Sequence, residues 1–374
     1  MSNPFKFREL GPDDPFCDRQ EEKRKLLSYA TSGTNAVLFS PRRHGKTSLV
    51  RRVQAELRQR GFMTVYVDFF GVASAYETAR RLAQGIYRAL HERESLLEKG
   101  KRFLKAFKSF SPVFRVAEDG LSITVEPLSS TEDEVQLLGK VMEELGNFVA
   151  KQRLPINVVL DEFQEITRLK ESAELEGRLR AYIQRQKVSY FFVGSRRGVL
   201  IAMFNDRKRP FFQSAVMLPL GPLPEAELVP FLLGLFKGEG KQCNEAVCRR
   251  IVESVSSHPY YVQRVAFEVF EIGRKIITEQ DVNAALHNVI RSEKFGYEAI
   301  IEGLSSSEIK LLRALAEEPS TSLFSSSFVS RTGLPLATLQ HAKGTLLKRD
   351  LIEEDEGGVW KVVDPLFARW LNAL

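Results

Sequence analysis

Apolar and polar positions follow two rhythms through the first half of the chain. Short, nearly continuous apolar runs recur at Ala36–Phe39, Met63–Phe70, Ile156–Leu160 and Ser189–Ser195. Between them lie stretches with an apolar residue at every third or fourth position: Lys46–Arg60, Ala75–Leu97, Glu132–Lys151 and Glu174–Arg185. The short runs predict strands buried on both faces, and the longer spacing predicts helices with one buried stripe. Strand alternating with helix is the signature of a parallel sheet wound with crossover helices. Between two of these helices, Lys99–Arg115 interleaves Lys99, Lys101, Arg102, Lys105, Lys108 and Arg115 with Phe103, Phe107, Phe110 and Phe114, and Arg115–Pro127 has hairpin character around Glu118-Asp119-Gly120. This reads as an insertion near residues 98–130. It is either a surface for nucleic acid or an amphipathic helix whose phenylalanines pack on the sheet.

The rhythm changes at Gly221-Pro222-Leu223-Pro224, which can continue neither a helix nor a ladder. From Glu225 to about Ser292 the pattern is helical throughout, with turns at Gly238/Gly240 and Ser257-His258-Pro259. Beyond Leu304, Ser305-Ser306-Ser307-Glu308 is a capping signal for a helix to Glu317. Phe328–Thr332, Gly333 and Leu336–Arg349 then predict helix, turn, helix, and Leu351–Glu353 with Val359–Val363 a closing hairpin around Gly357-Gly358. That order is a winged helix-turn-helix. The expected organisation is an α/β nucleotide-binding domain over residues 1–220, a helical lid over 221–295 and a winged helix over 296–374.

Composition narrows the class. The 374 residues are 43% hydrophobic and 27% charged, as in an ordinary soluble protein. No apolar run reaches membrane-spanning length and the first residues lack the apolar core of a secretory leader, so a cytoplasmic protein without a membrane partner is expected. Cys17, Cys243 and Cys248 form no C-x-x-C pair, and the five histidines are scattered, which implies neither a disulfide framework nor a zinc site. The net charge of +6 permits an acidic partner without requiring one.

The candidate chemistry lies at the ends of two predicted strands. Behind Ala36–Phe39 stands Ser40-Pro41-Arg42-Arg43-His44-Gly45-Lys46-Thr47-Ser48. A loop that opens into a helix aims backbone N–H groups and the positive end of the helix dipole at an anion. Gly45 permits close backbone approach, Lys46 reaches the β- and γ-phosphates of a nucleotide, and the Thr47 hydroxyl can hold Mg²⁺. Ser40 replaces the first glycine of the G-x-x-x-x-G-K-[ST] pattern, so a phosphate loop (P-loop) with a slightly different opening is expected.

The Ile156–Leu160 run delivers Asp161 and Glu162 at its carboxyl end, where ligands bind in open α/β sheets. Asp161 is the candidate for the Mg²⁺ shell and Glu162 for the general base that polarises the attacking water. Ser195 and Arg196, at the end of a neighbouring run, are candidate sensors of the γ-phosphate, against the plain alternative of a turn with a solvated arginine. Arg207 or Arg209 could act on a neighbouring subunit's phosphate, though a basic triplet is more often a solvated loop.

Taken in order, Phe16-Cys17-Asp18-Arg19-Gln20-Glu21-Glu22, the Ser40–Thr47 loop, Asp161-Glu162-Phe163-Gln164-Glu165, Gly194-Ser195-Arg196 and His258-Pro259-Tyr260-Tyr261-Val262-Gln263 resemble the archaeal and bacterial AAA+/STAND ATPases related to origin-recognition ATPases. The resemblance runs from about Asn3 to Leu374. It implies that the Phe16–Glu22 box lines the adenine pocket, with Asp18 and Arg19 as its polar members, that Ser195 and Arg196 sense the γ-phosphate, and that His258-Pro259 on the lid contacts the nucleotide.

Two function classes follow. The leading one is an ATP-binding, Mg²⁺-dependent ATPase that cycles between ATP and ADP as a switch or a nucleotide-dependent homo-oligomer. The other is a nucleic-acid-binding or scaffold protein that holds nucleotide structurally with negligible turnover. A small-molecule kinase on the same loop is the remote third. From Ser305 onward eight lysines and arginines face nine aspartates and glutamates. Base reading by Gln340, His341, Lys343 and Thr345 therefore lacks a strong electrostatic footprint, and a protein contact is at least as well supported as DNA.

Overall fold

A computed structural model describes residues 3–11, 14–93, 109–117, 120–127, 133–355 and 357–373. The chain divides into two compact units, one made of residues 11–13 and 19–221, the other of residues 1–10, 14–18 and 222–374.

The first unit is built on a parallel sheet of five strands: β1 (Ala36–Phe39), β2 (Met63–Asp68), β5 (Ile156–Asp161), β6 (Ser189–Gly194) and β7 (Val216–Pro219), in the order β2-β5-β6-β1-β7. Every residue of β1, β5 and β6 is buried, as their apolar runs require. The register sets Phe39 opposite Gly194 and Asp68 opposite Asp161, so the loops after β1, β2, β5 and β6 leave one edge of the sheet together. Beneath them Phe163, Phe192, Phe204 and Phe211 pack ring on ring, with centroids 4.7 Å apart for Phe163–Phe192, 4.9 Å for Phe192–Phe204 and 5.3 Å for Phe204–Phe211. Burying each ring contributes roughly 2–3 kcal/mol. The cluster fixes where β5 and β6 end.

One polar residue interrupts the apolar centre of the sheet. Asn157 on β5 donates to Ser189 Oγ on β6 at 3.0 Å and accepts from Gln54 Nε2 at 3.2 Å, while the same Gln54 nitrogen donates to Val65 O on β2 at 2.9 Å. Three strands and the helix Lys46–Gln59 are thereby tied in one register, because a slip would leave buried polar groups unpaired.

Of the basic and aromatic segment, residues up to Lys108 lie outside the described residues. From Phe110 the backbone is not helical: β3 (Phe110–Ala117) and β4 (Gly120–Pro127) pair antiparallel with Ala117 opposite Gly120. Phe110 is buried beside Tyr76, and its carbonyl accepts from Tyr87 Oη at 2.8 Å, which corrects the helical alternative for this end of the segment.

The second unit includes the N-terminal segment, which has no regular secondary structure and in which Phe5 packs on Phe236 at 4.6 Å and Phe7 on Phe267 at 5.0 Å. Its helices are Glu225–Gly238, Glu245–Ser254, Pro259–Glu271 and Glu279–Glu302. The winged helix follows: Ser306–Glu317, Ser326–Thr332 and Leu336–Lys348, the hairpin β8 (Ile352–Glu354) and β9 (Trp360–Val362), and a last helix Pro365–Leu371. Ser305 and Glu308 form the expected capping box, and Gly333 ends its helix at φ 62°. The helical part and the winged helix are fastened together. The Tyr261 hydroxyl donates to the Asp364 carboxylate, Arg369 Nε donates to Ser254 O at 2.6 Å, and Tyr297 packs 5.0 Å from Phe367. No described helix is long and apolar enough to cross a membrane.

Candidate functional site

The loop after β1 is shaped by two left-handed residues, Arg43 at φ 64° and Gly45 at φ 84°. Space alone would admit a side chain at position 45, since a Cβ there meets nothing within 4 Å, so the glycine is required by its backbone angle. Gly45 also stands at the N-cap of the helix Lys46–Gln59 and has no side chain with which to cap it. The positive end of that helix therefore faces the loop.

Lys46 is buried, and its Nζ donates to Ser40 O at 2.9 Å, Pro41 O at 2.8 Å and Ser40 Oγ at 3.3 Å. Ser40, which stands where the pattern has glycine, thus supplies both carbonyl and hydroxyl to the lysine. Burial lowers the Lys46 pKa to about 8, against the opposing pull of Glu162 and Asp161 and with a further push down from Arg42. His44 Nδ1 lies 3.2 Å from Arg42 O, which holds the middle of the loop. Ser48 is buried in the first helical turn.

Asp161 and Glu162 meet this loop from β5. Thr47 Oγ1 donates to Asp161 Oδ2 at 2.9 Å, and the other carboxylate oxygen accepts from Glu162 N at 2.9 Å. Tyr66 on β2 donates its hydroxyl to the same Oδ2 at 2.5 Å, and Arg51 sits over the Tyr66 ring at 3.4 Å. Asp68, opposite Asp161 across the ladder, has its pKa raised by burial, with the neighbouring carboxylates adding to the rise.

Glu162 itself is left-handed at φ 49° and starts the 3₁₀ turn Phe163–Arg168. Its Oε2 accepts from Ser195 Oγ at 2.9 Å and from Gln164 Nε2. Gln164 is fully buried, and its Oε1 has no hydrogen-bond partner among the described residues. That oxygen lies against Gly194, where a Cβ would fall 1.9 Å from it. Gly194 is therefore required by close packing, and Gln164 is the side chain that needs it. Tyr66, Gln164 and Gly194 were not among the residues expected from sequence. Gln164 lay within the Asp161–Glu165 motif and Gly194 within Gly194-Ser195-Arg196, whereas the place of Tyr66 depends on β2 pairing with β5.

The other expected residues fall as follows. Arg196 precedes the helix Arg197–Asn205 as its N-cap residue, next to Ser195. Arg209 is engaged by both carboxylate oxygens of Glu176, with Nε 3.0 Å from Oε2, and Glu176 is only 2% exposed. That pairing holds the Arg209 guanidinium within its own unit, while Arg207 is exposed. Arg19 begins the helix Gln20–Ser32 in left-handed conformation at φ 67°, donates to Glu22 at 2.9 Å, and donates to Gly221 O at 2.5 Å. The guanidinium so joins the two ends of the sheet unit. Phe16, Asp18, His258 and Pro259 belong to the second unit. There His258 is buried at the start of the helix Pro259–Glu271, its ring 4.8 Å from that of Tyr261, with Pro259 in the first helical position.

Among the described residues no group of three or more His, Cys, Asp or Glu side chains could hold a metal ion. The Thr47 hydroxyl and the Asp161 carboxylate, two hard oxygens 2.9 Å apart, fit a cation that takes one or two protein oxygens and completes its shell with phosphate and water. That is the habit of Mg²⁺.

No curated protein matches this chain. Solved structures do. The Walker-type ATPase PABY2304 of Pyrococcus abyssi aligns at 20% identity and TM-score 0.70, over 99% of this chain and 99% of that one. The ORC2 protein of Aeropyrum pernix, described as ADPNP-ADP complexes, aligns at 16% identity and TM-score 0.59, over 98% and 94%. The ORC1 protein of Aeropyrum pernix, solved in complex with DNA, aligns at 16% and 0.50, over 98% and 93%. At these identities the likeness shows the fold, a parallel sheet with helices followed by a winged helix. A probable winged helix domain is matched over residues 295–373. The ATPase domain predominantly from Archaea is matched over residues 16–265, more than half of the chain and every loop and carboxylate residue described above, and the chain therefore belongs to this archaeal-type ATPase family.

Proposed function

We propose that the chain binds ATP in the Ser40–Ser48 loop and hydrolyses it, with Glu162 as general base. The observation that carries the reading is the hydrogen-bonded junction of loop and carboxylates: Thr47 on Asp161 at 2.9 Å, and Ser195 on Glu162 at 2.9 Å. Backbone N–H groups of the loop and the first turn of Lys46–Gln59 bind the phosphates. Lys46 exchanges its loop carbonyls for phosphate oxygens as negative charge arrives. Glu162 takes a proton from the water that attacks the γ-phosphorus, and the bond to the ADP oxygen breaks. Two donors already share Oε2, yet an ionised carboxylate has about four acceptor sites, so Glu162 keeps capacity for that water. Ser195 and Gln164 orient it, and Ser195 with Arg196 reports on the γ-phosphate. Thr47 and Asp161 would hold Mg²⁺, which when bound neutralises phosphate charge and polarises the bond to be broken.

One observation favours a second reading, in which nucleotide is held without turnover. The Glu162 carboxylate is engaged by two neighbours rather than presented alone. Phosphate release by the wild-type chain separates the two readings, and Glu162→Gln identifies the base: the variant retains ATP and loses hydrolysis, whereas hydrolysis unchanged in that variant removes Glu162 from the role.

For the partner, we take the three-part division at residues 220 and 295 as functional, with the winged helix as the contact element. Lys343, in the helix Leu336–Lys348, lies 4.0 Å from the Trp360 ring and 5.4 Å from that of Phe324. Its ammonium sits over the domain's own rings, and the winged helix carries no excess of basic residues, which together support a protein partner over DNA. A cytoplasmic, nucleotide-dependent assembly of several copies completes the reading. DNA binding with a steep salt dependence would reverse the choice of partner.

A further inference from the structure

Cys243 and Cys248, five residues apart and unremarkable in sequence, have their sulfur atoms 3.3 Å from one another. Local structure holds them there. Asn244 is the N-cap of the helix Glu245–Ser254, its side chain accepting from Val247 N at 2.9 Å and its carbonyl from Cys248 N at 3.2 Å. Just before it, Gln242 N donates to Lys275 O at 2.7 Å and Gln242 O accepts from Ile277 N at 2.9 Å. Cys243 is thus pinned on both sides. It occupies the position ahead of the N-cap and Cys248 the fourth helical position, the two places that ordinarily carry an apolar staple. Here the staple is made of thiols.

We propose that Cys243 and Cys248 are a redox-modification site, which a peroxide converts to an intramolecular disulfide through attack at Cys243. The Cys243 thiol releases its proton, its sulfur takes one peroxide oxygen as the O–O bond breaks, and the hydroxide that leaves takes up that proton, giving a sulfenic acid and water. The Cys248 sulfur then attacks the Cys243 sulfur, the S–O bond breaks, and hydroxide leaves with the Cys248 proton as a second water. Two thiols give up two electrons and two protons, and the peroxide is reduced. The sulfur atoms close from 3.3 Å to about 2.05 Å, within reach of side-chain rotation.

The division of labour follows from surroundings. Cys243 is half-buried, whereas Cys248 is fully buried. The hydrogen bond between the two sulfur atoms holds the Cys243 thiol below its ordinary range, while that same bond and burial push Cys248 up. Cys243 is the more acidic and more accessible thiol, and so the one attacked. The cross-link would tie the turn ahead of the cap to the body of the helix. None of this depends on the ATPase reading.

The test uses the full chain. After hydrogen peroxide treatment, unfolding and alkylation, trypsin releases Gln242–Arg249, which carries both cysteines, with Cys17 on another peptide as internal control. The expected peptide is lighter than its reduced form by two hydrogen atoms, takes no alkyl group, and regains both sites after dithiothreitol, while Cys17 stays alkylatable. Cross-linking is expected about tenfold faster in the folded chain than in urea, because the folded turn holds the sulfur atoms together. In Cys243→Ser the peptide shows no cross-link and Cys248 is alkylated. Alkylation of both cysteines after peroxide, pairing with Cys17 or between chains, or an equal rate in urea overturns the proposal.

Discussion

Gly194 and Lys46 show how much of the site rests on single side chains. At Gly194 an alanine Cβ would fall 1.9 Å from Gln164 Oε1 and 2.9 Å from Leu200 Cδ1. Gln164 must then swing away and release Glu162. Gly194→Ala is expected to cost about 1–3 kcal/mol in thermal unfolding and to change kcat more than KM, whereas unchanged stability and kinetics would show the packing to be slack. Lys46 is a buried cation whose pKa is lowered to about 8 from the usual 10.5. In the nucleotide-free chain its charge is present below pH 8 and lost above. Affinity for ATP is expected to fall up to about tenfold between roughly pH 7 and 9 in equilibrium titrations, and to be flat over that range in Lys46→Ala. The stability sign is opposite. The unfolded chain holds the extra proton between the two pKa values, so the penalty for burying the charged lysine is relieved as pH rises through about 8. Sequence set Lys46 and Thr47 behind one strand and Asp161 and Glu162 behind another, and the meeting of Thr47 with Asp161 was legible from their types and order. Tyr66 and Gln164 were not, since their roles arise only when β2 lies beside β5 and when Gly194 leaves room.

At the scale of elements, what could be read was what is buried on both faces. The runs at Ala36, Met63, Ile156 and Ser189 became strands within a residue or two of their expected ends. The edge strand Val216–Pro219 went unseen because only Leu218 is buried and a proline ends it. The helix Gln20–Ser32 was hidden by its charge, burying only Leu26, Leu27 and Ala30. The hairpin expected over Arg115–Pro127 is present, but its first strand reaches back to Phe110, because a basic and aromatic composition does not distinguish a helix face from a hairpin over Phe110–Arg115. Asn157 passed as part of an apolar run, yet it joins β5, β6 and, through Gln54, β2. Asn157→Val is expected to lower the urea midpoint by an amount equivalent to about 1–3 kcal/mol, because Gln54 and Ser189 are left buried without their partner. Adding Gln54→Leu should recover part of that loss. No recovery would mean that the network adds no register energy.

For the whole molecule, the family model and the fold agree on an ATPase domain followed by a winged helix. The second unit joins the helices from Pro222 onward to the winged helix through Tyr261 on Asp364 and Arg369 on Ser254 O. Asp364 also caps the last helix by accepting from Leu366 N and Phe367 N at 2.9 and 3.0 Å. Asp364→Ala is expected to cost about 1–2 kcal/mol and to increase protease cutting between residues 296 and 374, since it removes a cap and a clasp together. An unaltered digestion pattern would show that the winged helix holds without them. The central claim is that Glu162 activates water for ATP hydrolysis. Its most direct test measures nucleotide binding and phosphate release side by side in the wild-type chain and Glu162→Gln. ATP binding within about threefold of wild type and at least about a hundredfold slower phosphate release are expected in the variant. Equal release from the two proteins, or no release from the wild type under any condition in which it binds ATP, would contradict it.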